Sequence, residues 1–93
     1  MTSVKLSNGE VLQGEELKNV LKIVSEDLRK LANDIYESND WASHITEEYK
    51  KDFLKKELEY ANEVELGLHN NNFTIWQRIN YICTGESVSF MKN

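Results

Sequence analysis

Side chains that bind metals or attack substrates are few in this chain, and their spacing assembles no site. The 93 residues include one cysteine, Cys83, and two histidines, His44 and His69, which fall in three separate segments. A structural zinc site needs four such ligands, normally in close pairs. Glu65 and His69 are spaced one helical turn apart, but a carboxylate-bridged two-metal centre needs a second pair of this kind. We therefore expect no metal and no cofactor.

Cys83 is the strongest candidate nucleophile by chemistry, but its context argues against that role. It ends the stretch Ile79-Asn80-Tyr81-Ile82, which supplies neither a base nor a polar setting. This context favours a small, buried core residue. One thiol cannot form an internal disulfide, which fits a reducing, cytoplasmic compartment.

Loops that bind phosphates need several glycines at set intervals, so that backbone amides can approach the ligand. The four glycines here are isolated from one another, at Gly9, Gly14, Gly67 and Gly85. Neither a dinucleotide fingerprint nor a Walker-type loop is present. Together with the missing nucleophile and metal ligands, this predicts a protein that is not an enzyme.

The overall charge favours protein partners over nucleic acid. Sixteen acidic and 11 basic residues give a formal net charge of -5. Affinity for nucleic acid phosphates depends on cationic side chains that release counterions, so direct binding to nucleic acid is not expected. An acidic protein instead fits a basic protein surface. The sequence contains no run of about 18 apolar residues and no secretory leader, so we expect a cytoplasmic protein without a membrane span.

The side chains that best fit a protein interface are aromatic or charged and lie off the apolar helix faces. Trp41 has polar neighbours, which makes it hard to explain by packing within a small domain. Arg78 and Tyr81 are residue types enriched at binding hot spots, and they lie off the apolar side of their helix. Glu59 and Glu63 would supply electrostatic fit to a basic partner.

Four lysines form the only concentrated positive patch, at Lys50, Lys51, Lys55 and Lys56. Neighbouring acidic residues neutralise much of its field, which favours a solvated helix face. The alternative interpretation uses Lys50 and Lys51, together with Arg78 and the aromatic residues, to bind a small anion such as a nucleotide. Such a site would lie at the junctions of an oligomer.

The elements that position these residues are predicted to be mainly helices. In residues 14–38, apolar side chains recur every three or four positions, which indicates a helix with one buried face. Glu15 and Glu16 follow Gly14 and suit the positive end of a helix dipole. The predicted seam consists of Leu17, Leu21, Val24, Leu28, Leu31 and Ile35, with Val20 and Ala32 beside them.

A second helix is predicted over residues 46–68, capped by Ser43 or Thr46. Its alternating end and Gly67 leave open an extended conformation for the last two turns. A third helix is predicted over 73–84, ended by Gly85. The apolar side of the second helix contains Tyr49, Phe53, Leu54, Leu58, Ala61, Val64 and Leu68.

Short extended segments are predicted at both ends of the chain. Asn8-Gly9 is typical of a two-residue turn, so residues 1–13 form either a β-hairpin or an irregular arm. The alternating residues 86–91 would pair with that hairpin as a strand or lie over the helices as an apolar strap.

We predict a single domain of mostly α class, with α+β as the variant if the terminal segments form a sheet. Its architecture is an antiparallel helical hairpin with a short C-terminal helix. The predicted function is a non-catalytic inhibitor or accessory protein that occludes a surface of a larger partner. Because nucleic acid also binds to basic surfaces, the surface of the partner that is occluded could be a nucleic-acid-binding site. A short, acidic chain without motifs is typical of phage or mobile-element accessory proteins.

Overall fold

The structure, a computed structural model, describes residues 3–88. Two long helices form a hairpin, and a short third helix and a two-stranded antiparallel sheet pack at one end of it. The mostly α fold predicted from the sequence is confirmed. In chain order the elements are β1 (Ser3–Lys5), β2 (Val11–Gln13), α1 (Gly14–Glu37), α2 (Glu47–Glu65) and α3 (Phe73–Thr84).

The N-terminal segment is a β-hairpin rather than an arm. Val4 pairs with Leu12, and both side chains are buried. The Leu6 amide donates to Glu10 O at 2.8 Å, and the Gly9 amide donates to Leu6 O at 3.0 Å. Three residues, 7–9, therefore connect the paired positions, and the predicted two-residue turn is wrong. Gly9 accommodates this longer loop because its φ of +89° suits a residue without a Cβ.

The core lies where the hairpin and α3 cover the first half of α1. The side chains of Ile75 and Ile79 on α3 are 1% and 0% exposed. Trp76 packs against this core, and its indole Nε1 donates to Lys5 O at 2.8 Å, which ties α3 to β1. The buried cluster consists of Val4, Leu6, Leu12, Leu17, Leu21, Val24, Val64, Ile75 and Ile79.

Glycine ends α2 earlier than the periodicity predicts. Gly67 has a φ of +80°, and its amide donates to Val64 O at 3.0 Å. The Leu68 amide donates to Glu63 O at 3.1 Å, which completes a Schellman motif. Helix α2 therefore ends at Glu65, and both the predicted end at residue 68 and the extended alternative are wrong.

The starts of α2 and α3 have side-chain caps. The Thr46 hydroxyl accepts from the Tyr49 amide, and the Asn72 side chain accepts from the amides of Thr74 and Ile75. Each cap satisfies donors that a helix start otherwise leaves unpaired. At the other end of α3, Gly85 adopts a φ of +74°, and the helix ends where the sequence places its end.

A polar cluster joins α1 to α2 midway along the helical hairpin. Arg29 donates from Nη2 to Asn62 Oδ1 and to Glu65 Oε1, both at 2.7 Å. The Ser25 hydroxyl, fully buried, lies 3.2 Å from both Arg29 Nη1 and Glu65 Oε1. Hydrogen bonds from Arg29 and then Ser25 lower the pKa of Glu65 below its ordinary value of 4.5, because they favour the ionised carboxylate.

The described part of the C-terminal segment lies against α3. Asn80 Nδ2 donates to Glu86 O at 3.3 Å, and Gln77 donates to Val88 O. Residues 85–88 form no strand, and the sheet contains β1 and β2 within residues 3–88. The remainder of the predicted tail, residues 89–91, lies outside the described residues.

Candidate protein-binding surface

The apolar stripe of α1 is buried in the first half of the helix, whereas two of its large side chains in the second half are exposed although Ala32 between them is buried. Leu17 and Val24 are 4% and 1% exposed, whereas Leu31 and Ile35 are 44% and 47% exposed. The seam predicted from periodicity is therefore wrong at Leu31 and Ile35. At 1.5 Å per residue, α1 is about 36 Å long and α3 only about 18 Å, so α3 is too short to cover the whole of α1.

Asp27, Leu31 and Ile35 follow one another at intervals of four residues on α1, so they form one continuous row along the helix. We call this row the open ridge. Its two apolar members are large side chains that no other element within residues 3–88 covers fully. Adjoining exposed apolar side chains make this row a candidate interaction site.

The open ridge begins in a groove between α1 and α3, which we call the α1–α3 groove. Its volume is about 380 Å³. Two residues predicted to bind a partner, Arg78 and Tyr81, lie together here, and Tyr81 is 60% exposed. The groove is lined by Asp27, Thr74, Gln77, Arg78, Tyr81, Ile82 and Ser87.

Carboxylates flank the ridge. Asp27 and Asp34 lie four residues before and three residues after Leu31, so both are on its side of α1. Within residues 3–88 neither forms an ion pair. Lys30, one turn from both carboxylates, and Arg78, which lines the groove with Asp27, bring positive charge to the same surface, but neither forms an ion pair with them within residues 3–88.

Trp41 has packing partners within the chain, so the argument that packing cannot explain it is wrong. Its indole Nε1 donates to Ile35 O at 2.9 Å, a carbonyl at the end of α1 that also accepts from the Ser38 amide at 3.2 Å. Its ring meets those of Phe53 and Tyr49 edge-on, with centroid distances of 5.3 and 6.3 Å. Trp41 is half-buried, and its role in binding stays a prediction.

The two lysines considered for an anion site have different environments. Lys50 Nζ lies 3.5 Å from Glu47 Oε1 and 5.9 Å from the centre of the Trp41 ring. Lys51 is exposed and, as the next residue in the helix, points about 100° away. Arg78 lies in the α1–α3 groove, whose lining includes neither lysine. One chain by itself does not bring these three cations together.

The acidic residues predicted to face a basic partner lie apart from the groove. Glu59 and Glu63 are exposed, and neither lines the α1–α3 groove. Glu63 Oε1 lies 2.8 Å from Nε2 of His69, in the turn after α2. His69 is thus paired with Glu63 and not with Glu65, because α2 ends before the predicted pair can stack.

Cys83 is exposed, so the prediction of a buried core residue is wrong. The buried face of α3 instead contains Ile75 and Ile79. Partial desolvation of the thiol, and then the carboxylates of Glu10 and Glu16, raise the pKa of Cys83. The thiol is therefore mainly protonated at neutral pH, which makes it a poor nucleophile.

Sequence reasoning missed a cleft of about 550 Å³ between the start of α1 and the end of α2. Leu17, Leu21 and Leu66 contribute apolar surface to it. Both amide atoms of Asn70 are buried there without a hydrogen-bond partner among residues 3–88. Solvent does not reach these two atoms, so they form part of the wall and do not contact the open space.

Within residues 3–88, no group of three or more histidine, cysteine, aspartate or glutamate side chains is placed to hold a metal ion. None of the helices in that range has the length and apolar content needed to cross a bilayer. No protein-family model matches the chain, and neither a curated protein nor a solved structure matches it. Function therefore has to be inferred from the open ridge and the groove.

Proposed function

We propose that this protein is a non-catalytic binding module that occludes a basic surface of a larger protein, as an inhibitor or accessory protein. The observation that carries the proposal is the exposure of Leu31 and Ile35 on a stripe that is buried elsewhere in α1. Covering the exposed part of each side chain would contribute on the order of 1 kcal/mol.

The neighbouring groove supplies the residue types that dominate binding energy at protein interfaces. Arg78 and Tyr81 lie beside the ridge, and both are types enriched at hot spots. Leu31 and Ile35 would form the apolar centre of the interface, while Asp27 and Asp34 would form a charged rim.

The charge of the module supports a basic partner. The ridge carboxylates and the net charge of -5 both favour cationic side chains on the opposing surface. Surfaces that bind nucleic acid have this charge, so occlusion by the module would compete with nucleic acid.

The proposal is tested by affinity capture from a lysate with three forms of the chain. The double variant Leu31→Glu, Ile35→Glu should lose a dominant basic protein that the unaltered chain captures. Val11→Glu is the matched control, because Val11 is also about half exposed but lies on β2, away from the ridge. Circular dichroism should show all three forms folded, since the replaced side chains are exposed.

Capture of the same proteins by the double variant and by the unaltered chain would contradict the proposal. Light scattering on the purified protein checks the oligomeric interpretation. A closed assembly whose melting temperature rises with a nucleotide would support the anion-binding function instead.

A further inference from the structure

We infer that the partner contributes a basic amphipathic helix, which lies along the open ridge and covers Leu31 and Ile35. This inference rests on the proposed function and specifies the element that is recognised.

The packing of α3 on α1 shows which shape fits this stripe. Ile75 and Ile79, spaced one turn apart on α3, are buried in the same cluster as Leu21 and Val24 of α1. Leu31 and Ile35 continue that stripe at the same helical spacing. A partner helix with apolar residues one turn apart would place these side chains between those of Leu31 and Ile35.

The length of uncovered helix limits the size of the partner element. From Asp27 to the end of α1 at Glu37 there are ten residue steps, which correspond to about 15 Å. About three helical turns of the partner would cover this distance. A longer contact in the same direction would meet the side chains that line the α1–α3 groove.

Charge selects the sign of the partner helix. Asp27 and Asp34 are seven residues apart, so lysine or arginine side chains two turns apart on the partner helix would face both carboxylates. The net charge of -5 on each chain disfavours a second copy as the occupant.

The experiment uses three synthetic 18-residue peptides and the full chain, followed by amide chemical shifts in NMR titrations. The first peptide has leucines in a helical stripe flanked by lysines, and the second replaces every lysine with glutamate. The third keeps the lysines but has a central proline that breaks the helix. The first should give saturable shifts at Asp27, Leu31 and Ile35, with at least tenfold tighter binding than either of the others.

Variants of the chain sharpen the result. Asp27→Lys, Asp34→Lys should reverse the preference between the lysine and glutamate peptides, while Leu31→Glu, Ile35→Glu should abolish binding of the lysine peptide. Lys18→Glu is the control for a charge change on α1 far from the ridge, and it should leave the preference unchanged.

If the helical and the proline-containing lysine peptides bind with equal affinity, the inference that the partner element is a helix is wrong. If the lysine and glutamate peptides bind with equal affinity, the inference that it is basic is wrong. If light scattering shows a dimer, and the double variant Leu31→Glu, Ile35→Glu is a monomer, the occupant of the ridge is a second copy of this chain and the inferred partner helix is wrong. If the ridge variant loses a captured protein while all peptides fail to bind, the proposed function stands and this inference fails. If the lysine peptide binds but capture does not depend on the ridge, the proposed function fails instead.

Discussion

The two ends of the helical hairpin contrast in how they use the same apolar stripe. At the proximal end, which contains the β-hairpin, α3 and the first half of α1, Leu17 is 4% exposed. At the distal end, which contains the second half of α1, the connector and the first half of α2, Ile35 is 47% exposed. Residue type does not account for this difference, because both side chains are large and aliphatic. The difference follows from how many other elements lie against each part of the stripe.

The distal end compensates for the missing third helix with local contacts. Trp41 occupies a carbonyl at the end of α1 and packs on Phe53. The pair formed by Lys56 Nζ and Asp52 Oδ2, 3.0 Å apart, adds a surface ion pair on α2. Such exposed pairs contribute little to stability, so the distal end should open more readily than the proximal end.

The largest expected effect on stability is the difference between truncating a core side chain and truncating a side chain of the open ridge. Ile79→Ala removes a fully buried side chain at the proximal end and should lower the free energy of unfolding by about 2–5 kcal/mol. Ile35→Ala, at the distal end, should lower it by less than about 1 kcal/mol, since almost half of that side chain is already in water. Urea denaturation followed by circular dichroism measures both values. Equal losses would contradict the contrast between the two ends.

A smaller effect is expected from the buried amides of the proximal end. Asn80 is fully buried, accepts from the Ser7 amide at 2.9 Å and donates to the Ser7 hydroxyl at 3.0 Å. Asn80→Ala should cost about 1–3 kcal/mol, because it leaves buried groups unpaired. Hydrogen exchange should rise in the β-hairpin but not in residues 26–54.

Asn70→Ala is the matched control for that variant. The amide of Asn70 has no partner within residues 3–88, so its removal should leave the unfolding free energy unchanged or raise it. If Asn70→Ala lowers the unfolding free energy as much as Asn80→Ala does, the hydrogen bonds of Asn80 are not the cause of its contribution to stability.

The smallest effect concerns pH and the polar cluster that joins α1 to α2. The folded-state pKa of Glu65 lies below its ordinary value of 4.5, so its ionisation stabilises the fold above that pH. This contribution is lost as the pH falls through the lower, folded-state pKa. Glu65→Gln should therefore weaken the dependence of stability on pH below about 4.5, measured by urea midpoints at several pH values.

The unaltered chain provides the comparison. If the urea midpoint of Glu65→Gln depends on pH in the same way as that of the unaltered chain, the contacts with Arg29 and Ser25 do not favour the ionised carboxylate.

Local signals made the helices predictable, and long-range contacts made part of the candidate site unpredictable. The Asn72 cap and Gly85 involve neighbours within a few residues, which is why the bounds of α3 follow from the sequence. Arg78 and Tyr81 were identified by residue type, and the structure places both in one groove. The open ridge was missed because Leu31 and Ile35 continue a periodic pattern that has no local sign of ending.

The sequence alone determined where helices form and the sign of the net charge, because these depend on residue type and on neighbours within one or two turns. Only the tertiary structure decided that Cys83 is exposed and that Leu31 and Ile35 on the α1 stripe are exposed. Burial depends on which distant segment lies opposite a side chain. Contacts such as that of Trp76 with Lys5, 71 positions apart, fix α3 at the proximal end and leave the ridge open.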